Sequence, residues 1–101
     1  MAFLRVAALA DLPAGSLRQF ESGDLTIAIG NHEGEVFAIG GSCPHARGPL
    51  GHGALNGPMV TCPWHLWEFD CRTGVCDFNP KVSVPVYRTK VEAGEVYIEI
   101  A

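Results

Sequence analysis

Positive charge is scarce in this chain. Seven Lys and Arg stand against eleven Asp and Glu, for a net charge of −4, and the basic residues are scattered. No basic stripe is available to follow a phosphate backbone, which argues against nucleic acid as a partner. Long apolar runs are lacking too: no stretch approaches the roughly 20 residues of a membrane span. Met1 to Ala10 is apolar, but Arg5 interrupts it and Asp11 and Pro13 end it. It therefore reads as a first β-strand with a mature start, not as an export signal. Sustained 3.6-residue periodicity and internal repeats are also missing, which excludes a helical bundle and a solenoid. Without an export signal the expected compartment is the reducing cytoplasm, where cysteines serve as metal ligands or thiols more often than as disulfides.

What the chain has in quantity is turn formers and apolar residues. Twelve Gly and seven Pro occur in 101 residues, of which 48% are hydrophobic. That length supports one compact domain, and the mixture predicts short strands joined by many loops. Phe3 to Ala8 reads as a strand and residues 12–15 as a turn. Leu25 to Ile29 and Glu35 to Ile39 flank Asn31-His32-Glu33-Gly34 as a hairpin, and Val84 to Val91 and Glu95 to Ile100 flank Glu92-Ala93-Gly94 as another. Residues 40–80 differ. Only Met59 to Thr61, Trp67 to Asp70 and Val75 to Asp77 suggest strands there. The expected class is all-β: an antiparallel sandwich or barrel base from 1–39 and 81–101, interrupted by a loop-rich insert at 40–80. Such an insert is expected to bury little apolar surface and to need a metal centre to hold it together.

The insert contains two related stretches, CPHARGPL and CPWHLWEF. They give Cys43-x-His45, then sixteen residues, then Cys62-x-x-His65. Thiolate and imidazole together allow two readings. One is a structural zinc with two Cys and two His. The other is a [2Fe–2S] centre in which two Cys hold one iron and two His the other. Zinc sites of this composition usually pair Cys with Cys and His with His. Here each stretch supplies one of each, so each loop reaches both irons of a two-iron cluster. A proline follows each cysteine and stiffens the loop.

With these residues the sequence resembles the Rieske family over nearly its whole length. CPHARGPL is similar to the first cluster loop, CPWHLWEFDCRTG to the second loop with its hairpin, and Pro80 stands where the family has a third, proline-containing loop. The resemblance implies the Rieske fold in a single domain, with one [2Fe–2S] cluster bound by Cys43, His45, Cys62 and His65. Cys43 and Cys62 would hold the inner iron, and the histidines would bind the outer iron through Nδ1 near the surface. His32 and His52 match no ligand position and read as exposed loop residues. Trp64 and Trp67 read as packing around the centre. Cys71 and Cys76 read as thiols; a disulfide between them requires a turn confined to Thr73-Gly74.

The residues around the cluster narrow the type. Respiratory members of the family carry a disulfide between the two loops, at positions held here by Gly48 and Trp64. They also place hydroxyl donors to sulfur where this chain has Trp67 and Phe69. Losing those hydrogen bonds lowers the potential, to around −150 mV. The resemblance is therefore to the ferredoxins of bacterial ring-hydroxylating dioxygenases. It implies an electron carrier, not an enzyme in itself, passing single electrons from an NAD(P)H-dependent flavoprotein reductase to a terminal oxygenase. The expected partners are those two proteins, met by a monomer through transient docking at the loop tip, around Ala46, Arg47, Gly48, Leu66 and Trp67. The alternatives are an accessory subunit of a nitrite-reductase-like enzyme and the structural zinc domain.

Overall fold

The computed structural model describes residues 2–23, 25–43, 48–64 and 66–100. Among them, ten strands follow in chain order: β1 (Ala2–Ala8), β2 (Leu17–Ser22), β3 (Leu25–His32), β4 (Glu35–Gly40), β5 (Ala54–Asn56), β6 (Met59–Thr61), β7 (Glu68–Asp70), β8 (Val86–Tyr87), β9 (Thr89–Glu92) and β10 (Glu95–Ile100). They form three antiparallel sheets, ordered β1-β10-β9, β2-β3-β4-β8 and β5-β6-β7. Helical structure in this part of the chain is limited to 3-10 turns at Leu9–Asp11 and Leu50–His52. The all-β class expected from the sequence is what the chain adopts, and no described helix is long and apolar enough to cross a membrane.

The four-stranded sheet is the middle layer, which explains the nearly unbroken apolar run in β3. Register pairs Ala28 with Ile39 and Ile29 with Ala38, and alternate side chains leave on opposite faces. On one face Ile27, Ile29 and Ala38 pack against Val96 and Ile98 of β10. On the other, Ala28, Phe37 and Ile39 join Leu50, Val60 and Phe69 from the insert. Gly30 is required by its neighbour across the strand pair: an added Cβ would lie 2.6 Å from the Phe37 ring and 2.7 Å from the Ser16 carbonyl. The side chain of Asn31 is buried and closes the hairpin, donating to the Leu12 carbonyl at 2.8 Å and accepting from the Gly34 N–H at 2.7 Å.

Several expectations are corrected. The insert does bury apolar surface, because Leu50, Val60 and Phe69 are fully buried and belong to the main core. It also has a sheet of its own, stapled by Glu68, whose carboxylate accepts from Thr61 Oγ1 at 3.1 Å and Asn56 Nδ2 at 3.2 Å. The strand expected over Val84 to Val91 breaks at Arg88, where the chain leaves the four-stranded sheet for the three-stranded sheet of β1, β9 and β10. His32 ends β3 with its side chain largely covered, at 16% exposure, so it is no free loop residue. His52 is exposed, as expected, but sits in a 3-10 turn.

Candidate metal centre

Each Cys/His stretch emerges from a short antiparallel stem, and the two stems end alike. In the first, Leu50 N–H donates to the Gly41 carbonyl, Ser42 bridges Pro49, and Cys43 N–H donates to the Gly48 carbonyl at 2.9 Å. In the second, β6 pairs with β7 through Thr61 and Glu68, and Cys62 N–H donates to the Trp67 carbonyl at 2.7 Å. In both cases the cysteine closes the stem onto the residue five positions ahead. The sequence puts His45 two positions after its cysteine and His65 three positions after its own. Those two histidines, with Pro44, Ala46 and Arg47, lie outside the described residues.

The first stem is rooted by a side chain that sequence reading did not single out. Gln19 of β2 donates through Nε2 to the Gly41 carbonyl at 3.3 Å and accepts from the Gly51 N–H at 2.8 Å. One amide thus ties both ends of the stem to the base. A glutamine on an edge strand that also carries Arg18, Glu21 and Ser22 gives no sequence signal of such a role.

The structure brings the two cysteines into one place. Both are fully buried and belong to the same core cluster. The two loops touch through Gly48: a Cβ there would come within 2.7 Å of Cys62 Sγ and 3.2 Å of the Trp64 ring. Any larger residue would occupy the space beside the Cys62 sulfur, so the glycine preserves a cradle next to that thiol. Gly48 is therefore buried at the loop contact and is not part of the exposed tip, as the sequence had suggested. Two buried sulfurs at the ends of matched stems, with that space kept clear, fit a cluster that draws one ligand pair from each loop. No three His, Cys, Asp or Glu side chains gather at a metal-binding spacing among the described residues, and the described part of the set is the cysteine pair.

The second loop carries backbone strain. Leu66 has φ +60°, a left-handed conformation that costs a non-glycine residue about 1 kcal/mol. Its N–H donates to the Cys62 carbonyl at 3.0 Å, which tightens the turn. The side chain that results is 72% exposed, with Trp64 nearby in sequence at 58%. Trp64 is thus largely a surface residue, although its ring also lies against Gly48 at the loop contact. Trp67 is partly buried against the core, as expected, and stacks on Phe78 with ring centroids 5.2 Å apart. Phe78 is itself 76% exposed. It went unnoticed in the sequence, although an isolated phenylalanine between Asp77 and Asn79-Pro80 is the kind of signal that marks an apolar contact.

Cys71 and Cys76 remain thiols. The bridge from Phe69 to Cys76, with Asp70 N–H donating to the Val75 carbonyl, sets a register that leaves Cys71 opposite Gly74 instead of Cys76. Burial, followed by the neighbouring Asp70 carboxylate, pushes the Cys71 thiol up from its ordinary pKa, so it stays protonated at neutral pH.

Residues 2–88 match the model of the Rieske [2Fe–2S] domain. The ferredoxin component of biphenyl 2,3-dioxygenase from Rhodococcus jostii is 32% identical over 101 residues, covering 99% of this chain and 94% of that protein. Human apoptosis-inducing factor 3 is 36% identical over 89 residues; the chain spans only 15% of that protein's length. Among solved structures, the ferredoxin of carbazole 1,9a-dioxygenase from Nocardioides aromaticivorans superposes with a TM-score of 0.90 at 26% identity, over all of both chains. A chain from a complex of reduced oxygenase and oxidized ferredoxin in carbazole 1,9a-dioxygenase gives 0.87 at 28% identity, covering 95% of this chain and 91% of that one. A protein described as the small subunit of an NADH-dependent nitrite reductase from Mycobacterium tuberculosis gives 0.88 at 26%, covering 99% and 96%.

Proposed function

Because the chain belongs to the Rieske [2Fe–2S] domain family, we propose that it is a one-electron carrier that takes electrons from a flavoprotein reductase and delivers them to a terminal oxygenase. The observation that carries this reading is the site's construction. Two matched stems bury both cysteines, while Trp64, Leu66 and Phe78 present large apolar side chains to solvent around the second loop. That is an exchange surface and not a substrate pocket. The likeness to dioxygenase ferredoxins over their whole length supports the same reading. The likeness to a nitrite reductase small subunit shows that the fold alone does not separate the carrier from an accessory subunit.

Cys43 and Cys62 would hold one iron and His45 and His65 the other. When bound, such a cluster accepts and releases single electrons. The chain's residues hold and insulate it. Buried thiols at rigid stem ends keep the ligand sulfurs away from water. Trp67 and Phe69 have no hydroxyl to offer a sulfur, which favours the low end of the potential range. The exposed apolar rim supports short-lived docking, since a small contact without charge pairs to desolvate forms and breaks readily. We place the protein in the cytoplasm as a monomer, where a reducing environment keeps Cys71 and Cys76 as thiols.

Leu66→Glu tests the docking surface. The residue is not a ligand, so the visible spectrum will be unchanged. A buried carboxylate at the contact is costly, and the second-order rate of electron transfer will fall about tenfold or more, corresponding to about 1.4 kcal/mol at the interface. Stopped-flow rates against reductase and oxygenase concentration read this directly. Unchanged rates with both partners would place docking elsewhere. A carrier supports many oxygenase turnovers per chain, whereas an accessory subunit co-purifies with its enzyme and does not exchange.

A further inference from the structure

The break at Arg88 leaves a second feature between the base and the β7 hairpin of the insert. Strand β8 meets β4 only at Ala38 and Ile39, so the first half of β4, paired with β3 on one side, has no paired strand on the β8 side. The crease beside it is a cleft of about 350 Å³, at the small end of the range for small-molecule sites. Phe37, Val86 and Tyr87 are its apolar and aromatic lining, with Phe37 and Val86 on one face of the sheet and Tyr87 on the other, and the exposed Arg72 and Arg88 also line it. These are two of only seven basic residues in an acidic chain, and they converge from separate elements, the β7 turn and the β8–β9 junction. Neither guanidinium forms an ion pair among the described residues. The other polar side chains facing the space include His32, Glu35 and Thr89, and Thr89 Oγ1 is already engaged with the Val36 carbonyl.

Guanidiniums without an ion pair beside apolar side chains suit an anion with a flat apolar body. Glu35 lines the same cleft, so with Arg72 and Arg88 the fixed side-chain charge there is +1, which matches a monoanion better than a doubly charged phosphate. We propose that this cleft binds a small aromatic carboxylate, its ring against Phe37 and Val86 and its carboxylate held by Arg72 and Arg88. None of the lining residues belongs to the loops that carry Cys43, His45, Cys62 and His65, so occupancy leaves the cluster's spectrum unchanged.

The test is calorimetric titration of the oxidised, cluster-containing protein with three probes: benzoate, benzyl alcohol and inorganic phosphate. Benzoate is expected to bind saturably, with the other two weaker by about tenfold or more, because each lacks either the charge or the ring. Arg72→Gln and Arg88→Gln are each expected to weaken benzoate about tenfold while keeping the visible spectrum. Phosphate binding as tightly as benzoate would reduce the cleft to a patch of positive charge. Equal binding of benzyl alcohol would reduce it to an apolar crease. Either result, or no saturable benzoate binding, overturns the proposal, and the three-probe comparison on the unmodified protein stands even if a variant fails to fold.

Discussion

A Cys62→Ser protein will be colourless, its iron falling from the two atoms of a [2Fe–2S] centre to almost none. A serine hydroxyl does not ionise at neutral pH and is a hard, weak ligand where iron and sulfide favour thiolate. Cys62 is fully buried, so the unpartnered hydroxyl adds a cost of about 1–3 kcal/mol to the fold. His65→Ala is expected to lose the cluster as completely. Cys71→Ser and Cys76→Ser are the controls and will keep both irons. Protease susceptibility should appear between Cys43 and Gly48 and between Cys62 and Trp67, and not across 40–80 as a whole. The reason is that Leu50, Val60 and Phe69 tie the insert to the base core independently of the cluster. Iron and sulfide assays with limited proteolysis measure both effects. Full iron in Cys62→Ser would remove that residue from the ligand set.

The largest stability loss from a residue outside the ligand set will come from Phe69→Ala. Phe69 is the largest fully buried side chain among the described residues and packs among Leu50, Val60, Val84 and the base residues Phe37 and Ile39. Truncating a buried phenylalanine costs about 3–5 kcal/mol in lost burial and residual cavity. For a domain of this size, each kcal/mol shifts the melting temperature by about 4–8 °C, so a drop of about 15–30 °C is expected. Far-UV circular dichroism melts of cluster-loaded protein, with iron measured before heating, provide the test. Phe69→Leu, which keeps most of the volume, will show a clearly smaller drop if the alanine variant is too unstable to purify. A change of less than 5 °C in Phe69→Ala would mean that the insert is held mainly by its cluster, as its sequence alone suggested.

That contrast marks where sequence and structure part. β3, β4 and β10 were legible because their apolar residues are contiguous or alternate and are bounded by glycine turns. β2 was not, because Leu17–Ser22 mixes charged and apolar residues and gains its order from pairing with β3. Leu50, Val60 and Phe69 are isolated in sequence among glycines and polar residues, so no period reveals that they meet in one core. The metal centre was legible in outline, since the spacing of Cys43, His45, Cys62 and His65 is itself the signal. What surrounds it depends on tertiary contact. Nothing local marks Gly48 as the residue that leaves room beside Cys62 Sγ, or Gln19 as the clamp on Gly41 and Gly51. Trp64 and Trp67 look equivalent in the sequence, yet one faces solvent and the other stacks on Phe78.

The central claim is one cluster held by two cysteines and two histidines, and the most direct measurement is pulsed electron paramagnetic resonance on the reduced protein grown with ¹⁵N-histidine. The account predicts strong hyperfine coupling to two histidine nitrogens on one iron, lost along with the iron itself in His45→Ala and His65→Ala. A reduced spectrum with no histidine coupling would mean an all-cysteine cluster drawing on Cys71 and Cys76, and it would contradict the ligand set on which the account is built.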